Sequence, residues 1–161
     1  MDTPPDPPSG RLDEHVHRYA VRAYYEDTDA SGIVYHASYL RWFERARSDL
    51  VGLIGIDQRA AADAGVGFYA VTAMTIAFRA PARLGDVVMI ETLAETVGAA
   101  SAWLRQNARR DAALLCEARV RIGFVGPGLR PRRQPRAWRA AFAALAAPAN
   151  MRPAKAPEDR P

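Results

Sequence analysis

ASYLRWFERARSDLVGLI, residues 37–54, is the stretch that decides the expected fold of this chain. Its apolar residues recur at intervals of three and four, which places them on one face of an α-helix. These residues are Leu40, Phe43, Ala46, Leu50, Leu53 and Ile54. The other face takes most of the polar residues, which are Arg41, Glu44, Arg45, Ser48 and Asp49. The pattern predicts one long helix that starts at Ala37 and ends near Gly52 or Gly55.

Downstream of this helix the hydrophobic period changes to two, which is typical of β-strands. A short helical segment comes first, with Asp57 as its N-cap and Gly65 just beyond its end. Strands are then predicted over residues 68–79, 87–96, 101–109 and 114–125, and another over 17–25 upstream of the helix. The breaks at residues 81–86, 98 and 110–111 resemble turns between neighbouring antiparallel strands.

The faces of two strands carry more information. In the strand at 114–125 every second residue from Leu114 to Phe124 is apolar, whereas Glu117, Arg119 and Arg121 lie on the other face. One face is therefore expected to pack inside and the other to contact water. In the strand at 68–79 both faces are apolar, and one helix cannot cover both. We therefore expect a second subunit to supply the missing cover.

Composition places these elements in one domain. The chain has 161 residues, of which 25% are charged and 49% hydrophobic, which are ordinary globular values. Eleven of the twelve prolines lie in residues 1–8 or 127–161 and mark the domain boundaries. We predict an α+β fold over residues 17–136, a disordered extension over 1–16, and a short helix with a mobile basic tail over 137–161.

Charge and cysteine usage limit the environment of the protein. From residue 126 onward there are eight basic and two acidic residues. The excess of basic residues in this tail is the reason that the isoelectric point of the chain is as high as 9.6. We disfavour the alternative that this tail binds nucleic acid or an anionic membrane. Its only aromatic residue before Phe142 is Trp138, and its high arginine content partly reflects the abundance of arginine in the whole chain. A single cysteine excludes an internal disulfide, and neither a secretion signal nor a membrane span is evident. These features favour the cytoplasm.

The segment YYEDTDASGIVYH, residues 24–36, is the candidate functional site. Three carboxylates, on Glu26, Asp27 and Asp29, precede a turn of small residues and the start of the long helix, whose first N–H groups have no intrahelical partner. Such a helix end favours developing negative charge. The alternatives are a solvated or capping acidic loop, a divalent metal site on Asp27 and Asp29, and an ordinary partly buried His36.

The same segment carries a family resemblance. The run YYEDTDASGIVYHASYL at residues 24–40, followed by WFERAR at 42–47, resembles the signature of hotdog-fold acyl-CoA thioesterases. It is most similar to the Tol-Pal-associated branch of the 4-hydroxybenzoyl-CoA thioesterase group. FRAPARLGD at 78–86 and the prolines at 131–135 extend the resemblance. It implies a single hotdog domain, a five-stranded antiparallel sheet wrapped around the long helix, assembled as a homodimer or homotetramer with active sites at the subunit interface.

The resemblance also implies an activity and its residues. The activity is hydrolysis of an acyl-CoA thioester to a free acid and CoA, without a metal or redox cofactor. Asp29 matches the catalytic carboxylate and would attack the thioester or activate the attacking water, and the backbone N–H of His36 matches the oxyanion donor. The side chains of His36 and Tyr25 match positions that shape the site. Substrate would be bound by Gly32, Ile33, Val34 and Tyr35.

Several alternatives stay open at this stage. A module that binds acyl-CoA or an acyl carrier protein without turnover is the competing function, and retention of Asp29 speaks against it. The acyl class, a covalent or general-base role for Asp29, and the choice between dimer and tetramer are not determined by residue type. Ala23 and Ser31 depart from the family pattern, Ser31 standing where glycine is common. Neither is expected to touch the chemistry.

Overall fold

One antiparallel sheet and one long helix form the body of the protein. A computed structural model describes residues 6–146 and residue 148. The six strands are β1 (Arg11–Asp13), β2 (Val16–Arg22), β3 (Phe68–Phe78), β4 (Val87–Val97), β5 (Ser101–Arg110) and β6 (Ala113–Val125). They lie in the order β1-β2-β4-β5-β6-β3, and all neighbours are antiparallel. The helices are α1 (His36–Leu53), α2 (Gln58–Asp63) and α3 (Arg136–Ala144).

Helix α1 packs against one face of the sheet at β2 and β4, and its position confirms the predicted long helix. The face of α1 that packs on the sheet is rotated about the helix axis relative to the predicted face. Leu40 and Leu53 are 39% and 46% exposed, although the spacing placed them inside. The buried residues of the helix are Ser38, Tyr39, Trp42, Phe43, Ala46, Arg47, Leu50 and Val51. The aromatic residues at 39 and 42 bury more area than the two leucines and so determine which face turns to the sheet.

The sheet has six strands rather than the five predicted. The additional strand, β1, lies inside the segment of residues 1–16 that was expected to be disordered, and it pairs with β2. The preceding residues are also held, because Ser9 Oγ and Gly10 N donate hydrogen bonds of 2.7 and 2.9 Å to the Asp49 carboxylate on α1. The ordered domain therefore extends upstream of residue 17. Residues 1–5 lie outside the described residues.

The strand order also differs from the expectation that consecutive strands are neighbours. β3 pairs with β6 along ten register positions, from Phe68 opposite Val125 to Phe78 opposite Cys116, and it does not pair with β4. Residues 79–86 instead connect one edge of the sheet to the region between β2 and β5. This link is too long for a tight hairpin, so β3 and β4 are not forced to be neighbours. Which strands pair then depends on the face that each strand buries.

Strand β6 has the two faces that its alternation predicted. Cys116, Val120 and Phe124 are buried on the inner face, whereas Arg121 is exposed on the outer one. Burial raises the pKa of the Cys116 thiol to about 12. Its neighbour β3 is an edge strand, and Val71 and Phe78 on it are 46% and 50% exposed. Cover of this edge by a second subunit stays a prediction.

The two shorter helices are also accounted for by their sequences. The Asp57 side chain accepts a hydrogen bond of 2.9 Å from Ala60 N and caps α2 as predicted. Helix α3 lays Trp138 and Phe142 on an aromatic cluster with Tyr69 and Phe124, at ring-centroid distances of 5.4–5.8 Å. Within residues 6–146, none of the helices has the length and hydrophobicity that a membrane span requires. Of the short helix and mobile tail predicted over 137–161, residues 147 and 149–161 lie outside the described residues.

A polar network inside the core was not predicted. The Gln106 side chain, which is fully buried on β5, donates to Phe43 O and Thr92 Oγ1 at 3.0 Å each. Its oxygen accepts a hydrogen bond of 2.6 Å from the buried guanidinium of Arg47. Because each of these bonds satisfies a group that would otherwise be buried alone, the network fixes how α1 sits on the sheet.

Candidate active site

The segment between β2 and α1 forms a tight loop that presents Asp29. Thr28 and Val34 form an antiparallel bridge, and inside it Gly32 N donates to Asp29 O at 3.0 Å. Asp29 N donates to Ile33 O at 3.2 Å. Gly32 has a φ of 76°, which a residue with a Cβ adopts only at a cost. The loop is therefore closed by its own backbone, with Asp29 at its start.

Contacts with the rest of the domain hold this loop in place. Val34 N donates to Ala82 O at 2.8 Å, and Ile33 is bridged to Arg83 in the link between β3 and β4. Tyr35 N donates to Asp27 O at 2.7 Å. The link that crosses from one sheet edge therefore forms one wall of the site.

Asp27 and Asp29 have different environments. Asp27 is buried, its Oδ2 accepts a hydrogen bond of 2.9 Å from Tyr24 N, and its Oδ1 lies 3.7 Å from the Arg41 guanidinium. It ends a 3₁₀ turn at Tyr25–Asp27, whose first residue was the last residue of the strand predicted over 17–25. Asp27 is thus a capping residue, whereas Asp29 is exposed. Within residues 6–146, no group of three or more His, Cys, Asp or Glu residues has metal-binding geometry.

The carboxylate of Asp29 is bound by Ser31. Its Oδ1 accepts a hydrogen bond from the Ser31 hydroxyl and a second one, of 2.8 Å, from Ser31 N. These two bonds, the hydroxyl one first, lower the pKa of Asp29 below its ordinary value, and His36 adds a smaller contribution of the same sign. The sequence analysis expected Ser31 to lie apart from the candidate catalytic groups, whereas the turn folds residue 31 back onto Asp29.

A cavity of about 400 Å³ opens beside this carboxylate. Its volume is within the range of small-molecule sites. Asp29 and His36 lie at it together with mainly apolar groups, and the full lining is Asp29, Ile33, Val34, His36, Tyr39, Phe78, Arg79, Ala80 and Pro81. The His36 ring packs against Tyr35 at 4.3 Å and meets the edge of Phe78 at 6.3 Å, both between ring centroids.

The first turn of α1 lies at the same cavity. The helix begins at His36, and within the described residues no side chain caps it. Ser38 N donates to Tyr35 O at 2.9 Å, whereas the N–H groups of His36 and Ala37 have no hydrogen-bond acceptor within the described residues and lie at the positive end of the helix dipole. A carboxylate, an apolar cavity and free N–H donors are the parts needed to bind a carbonyl compound and stabilise an oxyanion formed from it.

The structure brings together only part of the residue set predicted for the site. Asp29, Ile33, Val34 and His36 line the cavity, whereas Gly32 shapes the loop and Tyr35 packs on the His36 ring without lining the cavity. Tyr25 is 83% exposed and does not line it either. The sequence analysis did not assign Tyr39, Phe78 or Arg79 to the site. A signal for Phe78 and Arg79 was available in the sequence. Both residues belong to the FRAPAR motif at 78–83, whose first four residues line the cavity.

A family model described as the thioesterase-like superfamily matches residues 24–159. This chain belongs to the thioesterase-like superfamily. The match includes the whole loop and helix that form the cavity, and the family predicted from residues 24–47 is confirmed.

Two curated relatives of this thioesterase-like chain match it over most of their own length. Acyl-CoA thioesterase YbgC of Haemophilus influenzae is 35% identical over 125 residues, which cover 77% of this chain and 92% of the relative. Acyl-CoA thioester hydrolase YbgC of Escherichia coli O6:H1 is 39% identical over 127 residues, with coverage of 78% and 94%.

Solved structures agree on the fold. A probable thioesterase from Bartonella henselae superposes with a TM-score of 0.70 at 33% identity, covering 74% of this chain and 99% of that one. A mutant 4-hydroxybenzoyl-CoA thioesterase complexed with 4-hydroxybenzoyl-CoA gives 0.72 at 22% identity, covering 80% and 99%. The second similarity supports the fold alone. The chain has the hotdog thioesterase fold, an antiparallel sheet with one long helix, here with six strands.

Proposed function

We propose that this protein is an acyl-CoA thioesterase that hydrolyses an acyl-CoA thioester to a free acid and CoA. The observation that carries the proposal is the Asp29 carboxylate at an apolar cavity of about 400 Å³ beside the uncapped start of α1. The two YbgC relatives, 35% and 39% identical, are named for the same activity. The acyl chain would occupy the cavity, and the thioester carbonyl would lie between Asp29 and the helix N-terminus.

The residues supply two routes with the same products. In one, the Asp29 carboxylate attacks the carbonyl carbon, the C–S bond breaks, and water then hydrolyses the mixed anhydride. In the other, Asp29 takes a proton from water, whose oxygen attacks the carbonyl. In both, the carbonyl oxygen gains negative charge that the His36 N–H stabilises, and the departing CoA thiolate takes up a proton. The low pKa of Asp29 keeps it ionised at neutral pH, as either route requires.

The oligomeric state forms part of the proposal. Strand β3 leaves Val71 and Phe78 about half exposed at an unpaired sheet edge, and Phe78 also lines the cavity. A homodimer or homotetramer that covers β3 would close the open side of the site. We further propose a cytoplasmic location, since the single cysteine is buried and unpaired. An acyl carrier protein could deliver the thioester in place of CoA.

The first experiment is thiol release from short-chain, long-chain and aromatic acyl-CoAs by the wild type and by Asp29→Asn. We expect turnover to fall by about 10³-fold or more in the variant, because neither route works with an amide. Gel filtration and circular dichroism control for folding. The same panel identifies the preferred acyl class.

The other outcomes are equally informative. Turnover that survives Asp29→Asn would keep the activity and exclude Asp29 as the reacting group. Wild-type protein that binds acyl-CoA without turnover of any acyl-CoA or acyl carrier protein thioester would favour the alternative, a non-catalytic binding module.

A further inference from the structure

Ser31 makes two contacts with the carboxylate that the proposed function places at the reaction centre. Its hydroxyl and its backbone N–H both donate to Asp29 Oδ1. Within the described residues no hydrogen bond is donated to Oδ2. Because both donors come from one residue and act on one oxygen, they fix the rotation of the carboxylate about its Cβ–Cγ bond.

The loop does not need this hydroxyl to fold. It is closed by backbone hydrogen bonds between Asp29 and Ile33 and between Gly32 and Asp29, and by the bridge from Thr28 to Val34. Ser31 is exposed and does not line the cavity. The hydroxyl therefore has one polar partner, the Asp29 carboxylate, and neither loop closure nor substrate contact accounts for it.

We propose that Ser31 is a positioning residue, which holds Oδ1 of Asp29 and leaves Oδ2 as the oxygen that attacks the thioester or accepts the proton from water. The inference rests on the proposed function, since it takes Asp29 as the reacting carboxylate. A residue without a side-chain donor at position 31 keeps only the N–H contact. The carboxylate would then rotate more freely, and both oxygens would compete for the reacting position.

The hydroxyl also affects the protonation of Asp29. Its hydrogen bond is the largest cause of the lowered pKa of Asp29, ahead of the Ser31 N–H bond, while desolvation acts in the opposite direction. His36 and Arg79 at the cavity are the basic groups nearby, Tyr39 is the remaining titratable group of the lining, and Asp27 turns toward Tyr24 N and Arg41. Loss of the hydroxyl therefore raises the pKa of Asp29 and moves the acid limb of the activity profile to higher pH.

The test compares Ser31→Ala, which removes the hydroxyl, with Ser31→Thr, which retains one. On the best acyl-CoA of the panel we expect kcat of Ser31→Ala to fall about tenfold while KM changes less than about twofold. The acid limb of its kcat/KM profile should move to higher pH, and Ser31→Thr should restore both. Thr28→Ala is the matched control, because it removes a hydroxyl of the same loop that donates to Tyr25 O and not to Asp29.

A second readout does not depend on turnover. The Asp29 carboxyl is titrated by ¹³C NMR in the wild type and in Ser31→Ala, with Asp29→Asn to assign the signal. A higher pKa in Ser31→Ala together with the lower kcat supports the proposal. An unchanged kcat and acid limb in Ser31→Ala, while Asp29→Asn is inactive, would overturn the role of Ser31 and leave the proposed function intact. Activity retained in Asp29→Asn would instead exclude Asp29 as the reacting group and remove this inference with it, while the thioesterase activity itself would stand.

Discussion

Asp49 on α1 shows how one carboxylate can hold three parts of the chain. It accepts hydrogen bonds from Ser9 Oγ, Gly10 N and His17 Nε2, the last at 2.7 Å, and His17 is fully buried on β2. There is no room for a side chain at position 10, because a Cβ there would lie 2.5 Å from Arg18 O. Burial by itself raises the pKa of Asp49, but the hydrogen bonds from Ser9, His17 and Gly10 lower it overall.

We predict that Asp49→Asn lowers the free energy of unfolding by about 2 kcal/mol at pH 7, because three hydrogen bonds to a charged acceptor are weakened. A carboxyl with a lowered pKa in the folded state stabilises it above the unfolded value, near ~3.9, and this contribution is lost as the pH falls through the folded value. Urea unfolding from pH 7 to pH 3 should therefore show the two proteins converging at the acid end. A constant difference between them would exclude this linkage.

Cys116 gives a second prediction at the scale of one residue. Because the thiol is buried and its pKa is about 12, almost no reactive thiolate is present at pH 8. We expect the native protein to react with a disulfide reagent at least about 10³-fold more slowly than a free thiol, and to release one equivalent after unfolding in guanidinium. Rapid labelling of the native protein would show that β6 opens readily.

Prediction of the candidate site from the sequence was most accurate for the features whose position depends only on the local backbone conformation. The start of α1 at His36 and the turn at Gly32 follow from local spacing. The direction of a side chain in an irregular loop does not follow from local spacing, because it depends on which groups of the folded protein pack against the loop. For this reason Tyr25, next to the acidic run, is exposed, whereas Phe78, distant in sequence, lines the cavity.

At the scale of elements, α3 and the segment before it are integral to the domain. Gln134 is buried, donates to Gly98 O at 2.9 Å, and accepts a hydrogen bond of 2.5 Å from Tyr69 Oη. Burial raises the pKa of Tyr69, so it acts as a hydrogen-bond donor throughout the accessible pH range. Phe142 is fully buried beneath the helix. Trp138, Phe142 and Leu145 recur at intervals of four and three residues, as one docked face of a helix requires.

We predict that Phe142→Ala destabilises the protein by about 3–5 kcal/mol, since it leaves a cavity within the aromatic cluster. The matched control is Leu129→Ala, which removes a large apolar side chain that is 69% exposed and should cost less than about 0.5 kcal/mol. Urea unfolding followed by tryptophan fluorescence measures both. Equal effects of the two substitutions would show that α3 contributes no more than a surface segment.

At the scale of the whole molecule, the edge strand β3 determines how copies of the chain are expected to meet. It has eleven residues, it pairs on one side only, and it leaves Val71 half exposed. A long apolar strand with an unpaired edge is a surface that proteins normally cover. This agrees with the sequence argument that a single helix cannot cover both faces of the strand.

We predict that the wild type sediments as a dimer or larger oligomer and that Val71→Asp shifts it toward the monomer with a loss of thioesterase activity. A charge at this edge opposes burial against another copy. Val87→Asp is the matched control, because Val87 is 48% exposed on β4, away from this edge, and should leave the assembly intact. A monomeric and fully active wild type would contradict the prediction.

By itself, the sequence determined the local elements and the family of this protein. The helix over residues 36–53 and the strands β3 to β6 were predicted to within a few residues, because helical and strand periodicities are properties of neighbouring positions. The run of residues 24–47 identified the thioesterase family for the same reason, since its motif is contiguous.

Only the tertiary structure decided which distant segments meet. It placed β3 beside β6, added β1 to the sheet, buried Arg47 against Gln106, and brought the 78–81 wall to the Asp29 loop. These outcomes depend on how well whole faces pack and on whether each buried polar group finds a partner, and both are settled over the entire core. The contact between Ser31 and Asp29 is close in sequence, yet it too needed the folded turn to become visible.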